Sequence, residues 1–219
     1  MSLLWKILLF IMCMPKSNNN KFQKIPLSFY LSDDVLTLSK QLLGQLLITN
    51  INGIQTGGII VETEAYAGIN DRASHSYNNK KTKRNKAMFE RGGIAYIYLC
   101  YGIHHLFNIV TNDENNPQAV LVRAIEPTIG TSEMLKRRNI NNLSYHLTSG
   151  PGKLTQALGL SLDFNQTSLQ SDSLCIYKMT KTLSKNSIIE SPRVGIDYAG
   201  HDALKPWRFR IKDNPWCSK

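Results

Sequence analysis

The sequence predicts one mixed domain of helices and strands, with the strands joined mainly as antiparallel hairpins. Three observations carry that expectation. Runs rich in β-branched and aromatic residues are separated by tight-turn dipeptides, above all Asn52-Gly53 and Gly102-Ile103. Helix starts such as Ser32-Asp33-Asp34 and Gly150-Pro151 stand between them. The chain has 219 residues, 42% of them hydrophobic and 19% charged, which is enough to fill a core and too apolar for a disordered chain. No repeat and no second domain is evident.

The elements follow in order. Residues 1–21 read as a dispensable tail ahead of a domain over 22–219. The tail opens apolar, as MSLLWKILLFIMCMP, and closes polar, as SNNNK. Its run Ile7 to Met14 is too short to span a bilayer. The alternatives are a targeting signal, though the basic flank is thin, or a translation start at Met12 or Met14. Ser32-Asp33-Asp34 then caps a helix carrying Leu36, Leu38, Leu42 and Leu43. Gln45 to Asn50 and Gly57 to Tyr66 form a hairpin, and Asp71 to Asn79 reads as a polar loop. Ile94 to Tyr101 and His104 to Thr111 form a second hairpin with Tyr101 near its tip. Ala119 to Glu126 is apolar enough for a central strand. Gly130 to Arg138 reads as a short helix, and Leu147 to Leu160 as another, with Ser149 as its cap. Leu174 to Lys178 and Trp207 to Lys212 read as strands, and Arg193 to Gly200 as a strand and turn.

Composition narrows the function. Lys and Arg number 26 against 16 Asp and Glu, a formal charge of +10. That suits a polyanionic partner such as nucleic acid. The four cysteines are scattered, with no C-x-x-C pair. A zinc site or a disulfide framework is therefore not expected, and an intracellular, reducing setting is.

The chemistry concentrates between Ile59 and Pro127. Strand alternation puts Glu62, Glu64 and Tyr66 on one face and Ile59, Val61, Thr63 and Ala65 on the other. Tyr96 shares a face with Tyr98; His104, Leu106 and Asn108 share another. Arg123 lies among Leu121, Val122 and Ile125, so its charge needs a partner, and a carboxylate of the Glu62–Glu64 strand is the candidate. Lys80 to Lys86 holds five bases and no acid. Each feature has a plain structural explanation: a solvated face, sheet packing, an ion pair, or a surface loop for His75.

The motifs VETEAY (Val61–Tyr66), ASHS (Ala73–Ser76), YIYLCYG (Tyr96–Gly102), FNI (Phe107–Ile109) and RAIEP (Arg123–Pro127) resemble the alkyladenine DNA glycosylase family, the vertebrate-type 3-methyladenine glycosylases. SGPGKL (Ser149–Leu154), RVGIDYAG (Arg193–Gly200), KPWRF (Lys205–Phe209) and the later Pro215-Trp216 extend the resemblance to nearly all of the chain after the N-terminus. It implies a single mixed α/β domain with a curved, mostly antiparallel sheet, surrounding helices and a protruding hairpin. It implies a monofunctional enzyme that flips alkylated or deaminated purines from double-stranded DNA and hydrolyses the N-glycosidic bond, leaving an abasic site. No metal or cofactor, no membrane and a monomeric state are implied.

Carried over by position, Glu64 is the general base and Arg123 its partner. Tyr66, His75, Tyr98 and Asn108 form the base pocket, and Tyr101 intercalates. Lys81, Lys83 and Arg84, from the basic run, are expected on the DNA backbone. His104 and His105, and the weight of that run, depart from the family pattern. Two other readings compete: a binding protein without chemistry on the same fold, and a glycoside hydrolase using Glu62 with Glu64. The second is disfavoured because two acids on one strand face, about 7 Å apart by strand rise, do not flank a bond.

Overall fold

The computed structural model describes residues 23–180 and 183–219. The tail expected over residues 1–21 lies outside them. Among the described residues, eight strands form one curled antiparallel sheet: β1 (Leu46–Ile51), β2 (Ile54–Tyr66), β3 (Ala95–Cys100), β4 (His104–Thr111), β5 (Gln118–Ile129), β6 (Leu174–Tyr177), β7 (Ile188–Ser191) and β8 (Arg208–Ile211). Their order is β3-β4-β5-β2-β1-β6. The long strand β2 is the hinge of this layout. One edge pairs with β5; the other pairs first with β1 and then, from Glu62 to Glu64, with β8, which carries β7.

The hairpin turns are as the sequence predicts. Asn52 (φ 52°) and Gly53 (φ 80°) are both left-handed, the geometry that Asn-Gly favours between twisted strands. The β3–β4 turn is tighter chemically than it looks. Tyr101 (φ 51°) and Gly102 (φ 73°) are both left-handed, and Ile103 N–H donates to the Cys100 carbonyl at 3.1 Å. A bulky residue at positive φ is uncommon and strained.

Three helices pack on the main core face: α1 (Val35–Leu42), α2 (Thr131–Arg138) and α3 (Pro151–Leu158). Leu38 and Leu42 of α1 join Leu47, Ile60, Val122 and Ile125 of the sheet, with Leu154 and Leu158 of α3. Asp34 caps α1, accepting from Thr37 N–H at 2.9 Å. Ser149 does not cap α3; Gly150 holds that position with no side-chain bond, and Pro151 occupies the first turn, where no amide partner is missed.

The simple alternation expected along β2 fails at one place. Ile60 lies opposite Ile125, Glu62 opposite Ala124 and Thr63 opposite Val122, so Val61 is an extra residue on β2 and Arg123 an extra residue on β5. Two bulges, one per strand, cancel in register but reverse parity locally. Ile59 therefore packs with Leu46, Ile48 and Ile129 on the opposite face from Ile60 and Ala65. Glu62, Glu64 and Tyr66 keep their shared face. The bulge also frees the Arg123 carbonyl, which accepts Gly150 N–H at 3.1 Å and draws Ser149, Gly150 and the first turn of α3 alongside Arg123.

Two other expectations change. Arg193 to Gly200 is not a strand: it turns into short 3-10 helical structure over Asp197–Leu204. Its polar groups bond to β2 side chains and to Asp71 instead of a ladder. The strand before it, Ile188–Ser191, is too short to announce itself in sequence. The polar loop Asp71 to Asn79 is partly interior, with Asp71, Ala73, Ser74 and Ser76 buried.

Close strand approach explains Gly58. A Cβ there would lie 2.2 Å from the Glu126 carbonyl oxygen. Gly58→Ala is expected to destabilise the fold by about 1–3 kcal/mol, the usual cost of overpacking. Urea unfolding measures it; an unchanged midpoint would mean that the two strands part without strain.

Candidate active site

Antiparallel register brings one transverse row of side chains together. Tyr96 pairs with Asn108, Asn108 with Leu121, Leu121 with Glu64, and Glu64 with Arg208. Directly paired residues share a face, so residues far apart in sequence form one strip across five strands. Above it opens a cleft of about 720 Å3. Its walls include Tyr66, His75, Tyr98, Asn108 and Arg123, with Tyr101 at the mouth.

Glu64 is fully buried beneath the cleft, covered by residues that line it, Tyr66, Arg123 and Val194. Its Oε2 accepts from the Tyr66 hydroxyl at 2.9 Å, and its Oε1 from Val194 N–H at 2.9 Å. Arg123 Nη1 stands 3.2 Å from the same Oε1. The other edge of Arg123 is committed: its Nε donates to Glu62 Oε1 at 2.8 Å. Glu62 also accepts from Arg208 Nε at 2.7 Å and from the backbone and hydroxyl of Ser218. Burial opposes charge on Glu62, but Arg123, Arg208 and Ser218 outweigh it and hold the carboxyl below its usual range. Burial likewise works against charge on Arg123, and its two carboxylates more than restore it. The carboxylate partner expected for Arg123 is thus two carboxylates.

The aromatic wall is equally fixed. His75 and Tyr98 meet edge to face with centroids 4.6 Å apart. His75 Nδ1 and the Tyr96 hydroxyl share a hydrogen bond of 2.8 Å. His75 is therefore not a free surface residue. Burial, with Arg84 nearby, pushes it down to about 4. Burial pushes the phenols of Tyr96 and Tyr98 up, and burial beside Glu64 pushes Tyr66 well up. Asn108 is buried, its amide donating to the Tyr96 carbonyl at 3.1 Å.

At the mouth Tyr101 is 87% exposed and Ile103 71%. No large hydrophobic side chain of the described residues is as open as Tyr101. The basic run is split in role. Lys83 is exposed, Lys81 lies over the Phe89 ring at 5.0 Å, and Arg84 stacks on Tyr98 at 4.9 Å while bonding to the Leu99 carbonyl. Arg84 thus belongs to the cleft as much as to the outer surface.

Sequence reasoning missed Arg193 and Arg208. Arg193 is buried, pairs with both oxygens of Asp71 (2.6 and 2.9 Å), donates to the Ala65 carbonyl at 2.8 Å, and lies over the Tyr66 and Trp207 rings. Asp71 in turn accepts from the Ala67 and Ala73 amides, which fixes the loop that carries His75. Both arginines sit in quoted motifs, RVGIDYAG and KPWRF, but nothing in those strings places them under the cleft.

A tyrosine-walled cleft with a carboxylate buried beneath it, on a basic protein, is the layout of an enzyme that acts on a base lifted out of nucleic acid. A glycoside hydrolase does not fit, since Glu62 and Glu64 sit on one strand face and bind the same arginine instead of flanking a bond. The methylpurine-DNA glycosylase family model matches residues 28–215. A Chlamydia felis protein is 53% identical over 188 residues, covering 85% of this chain and 95% of its own. A Chlamydia abortus protein is 52% identical with 85% and 97% covered, and a Bacillus cereus protein 46% identical over 202 residues with 89% and 98% covered. All three carry the name "Putative 3-methyladenine DNA glycosylase". The chain belongs to the methylpurine-DNA glycosylase family, and it is a DNA glycosylase.

His75 gives a pH signature. An unfolded histidine titrates near 6.5 and the folded one near 4. Between those values the unfolded chain holds the proton and the native one does not, so this site lowers stability as pH falls from about 6.5 to about 4. Urea midpoints at pH 7 and pH 5 are expected to differ less in His75→Gln than in the wild type. Equal differences would mean that His75 protonates freely in the folded cleft.

Proposed function

We propose that the cleft holds an alkylated or deaminated purine flipped from duplex DNA and that Glu64 activates the water that replaces it. The observation that supports this most is a carboxylate directly behind the cleft lining: buried Glu64 contacts Tyr66 and Arg123, which both line the cleft. On this reading the water oxygen attacks C1′ of the deoxyribose. The N-glycosidic bond breaks, its electron pair leaves with the base, and Glu64 takes the proton. The products are an abasic site and a free base. An alkylated purine that already carries positive charge leaves as a neutral base, so little acid assistance is needed. Tyrosine faces also attract such a cation.

Tyr66, His75 and Tyr98 would stack around the base, and buried Asn108 would limit what fits beside it. Tyr101 would fill the gap left in the helix. Lys81, Lys83 and Arg84 would meet the backbone, Arg84 with part of its surface still on Tyr98. A monomer suffices, because one chain supplies every wall of the cleft. The setting would be intracellular, where the DNA is. Among the described residues no helix is long and apolar enough to cross a membrane.

Glu64→Gln keeps the shape but cannot accept the proton. Single-turnover excision should fall about 10²-fold or more, with binding to a lesion duplex largely kept. Wild-type cleavage by this variant would remove Glu64 from the chemistry.

Tyr101→Ala tests the wedge. Its ring is solvent-exposed in the free protein, so melting temperature should hardly move. Excision from a fully paired duplex should drop strongly. A lesion in a mismatch, where flipping is easier, should suffer less. Equal losses in both contexts would end the wedge assignment.

A further inference from the structure

Glu62 is a buried carboxylate that the proposed chemistry does not use, and it accepts four hydrogen bonds. Its Oε1 takes Arg123 Nε (2.8 Å), Arg208 Nε (2.7 Å) and Ser218 Oγ (2.8 Å), and its Oε2 takes Ser218 N–H (2.5 Å). Arg208 Nη2 also holds the Ser218 carbonyl at 2.7 Å and its hydroxyl at 3.2 Å, and Arg123 Nη2 reaches that hydroxyl at 3.4 Å. The segment bearing Ser218 is anchored nearby, with Trp216 against Tyr145 and Asn214 donating to Glu126. Ser218 is not among the residues lining the cleft.

We propose that Glu62, Arg208 and Ser218 form a positioning clamp that holds Arg123 by its Nε edge, so that only Nη1 is left for Glu64. The physical reason lies in arginine's fork. A guanidinium offers two parallel N–H groups to one carboxylate, and that bidentate pair is the strong arrangement. Freed from Glu62, Arg123 would turn that fork on Glu64 and stabilise its anion, which makes a poorer base. With Nε taken by Glu62, a single nitrogen faces Glu64, at 3.2 Å. The double bulge places Arg123 where it can reach both acids, since Arg123 has no Cα partner on β2. Ser218 supplies the two donors that complete Glu62 without adding charge. The clamp rests on the reading of Glu64 as the base.

The other charged or titratable groups around Glu64 are Tyr66 on its own strand, Arg193 from the following segment, and Arg208 paired across from β8. None of them changes in the variants below except through the clamp.

The test uses the full chain with Ser218→Ala, Ser218→Pro, Ser218→Thr and Glu62→Gln, and Glu64→Gln as reference. Each is measured by lesion-duplex binding, by single-turnover excision across pH, and by melting temperature. Ser218→Pro removes the N–H and the hydroxyl, so excision should fall at least about 10-fold, within the range set by small misplacements of catalytic groups. Binding should stay within about twofold. Ser218→Ala should lie between it and the wild type, and Ser218→Thr should restore the rate. Glu62→Gln should lower the plateau rate and move the acid limb of the profile to lower pH. Wild-type rates in folded Ser218→Ala and Ser218→Pro, or a Glu62→Gln profile that falls without moving its acid limb, would overturn the clamp. Glu64→Gln keeps the two ideas apart: if it is inactive while the Ser218 variants are normal, only the clamp fails, and if it is active, the base assignment fails first.

Discussion

Three buried carboxylates and three buried arginines under the cleft constrain everything above them. Glu62, Glu64 and Asp71 face Arg123, Arg193 and Arg208, and all six are buried. An isolated charge there would be prohibitively expensive, so each group must meet its partner or the site does not form. Such networks seldom add net stability over a well-packed apolar alternative. What this one supplies is direction. Arg193 fixes the loop carrying His75, stacks on Tyr66 and leads into Val194, whose amide reaches Glu64. Arg123 ties the two acids of β2 to the central strand β5.

The backbone had to be altered to make that network. Two bulges, at Val61 and at Arg123, keep the β2–β5 register while turning side chains locally. Without the first, Ile59 and Ile60 would change faces and the apolar sets on both sides of the sheet would be lost. Without the second, Arg123 would take its place in the ladder and its carbonyl would not be free for Gly150. The first bulge thus keeps the apolar faces matched, and the second sets an arginine between two acids with Ser149 and Gly150 beside it.

Much of this was legible in the sequence and some was not, for definable reasons. Asn52-Gly53, the hairpin tip at Tyr101 and the apolar strand through Arg123 follow from local turn chemistry and composition. The shared face of Glu62, Glu64 and Tyr66 follows from a period of two and survives because the extra residue of β2, Val61, precedes all three and the extra residue opposite them, Arg123, belongs to β5. The misplacement of Ile59 is the same rule failing across a bulge, which leaves no mark in composition. The Tyr96-Asn108-Leu121-Glu64-Arg208 row is invisible for another reason: alternation gives faces, but only register says which residues meet. Arg193 and Arg208 fall in that blind spot, and so does the buried side of the Asp71–Ser76 loop, whose polarity suggested solvent when its partners were internal.

The chemistry of the walls bears on selectivity. Near neutral pH His75 is uncharged, and Tyr66, Tyr96 and Tyr98 are all held further from ionising than a free phenol. None of these four is an acid strong enough to force an ordinary purine to leave. On the proposed reading the cleft can therefore admit bases more widely than it cuts them, because departure depends on the instability that damage has already put into the glycosidic bond. Rigidity then matters more than acidity. The walls hold a flat aromatic cation by their faces, Glu64 waits below with one arginine nitrogen beside it, and the exposed strained turn at Tyr101 stands ready at the mouth. A fixed floor with an exposed tip suits a reaction whose hard step is lifting the base out rather than breaking its bond.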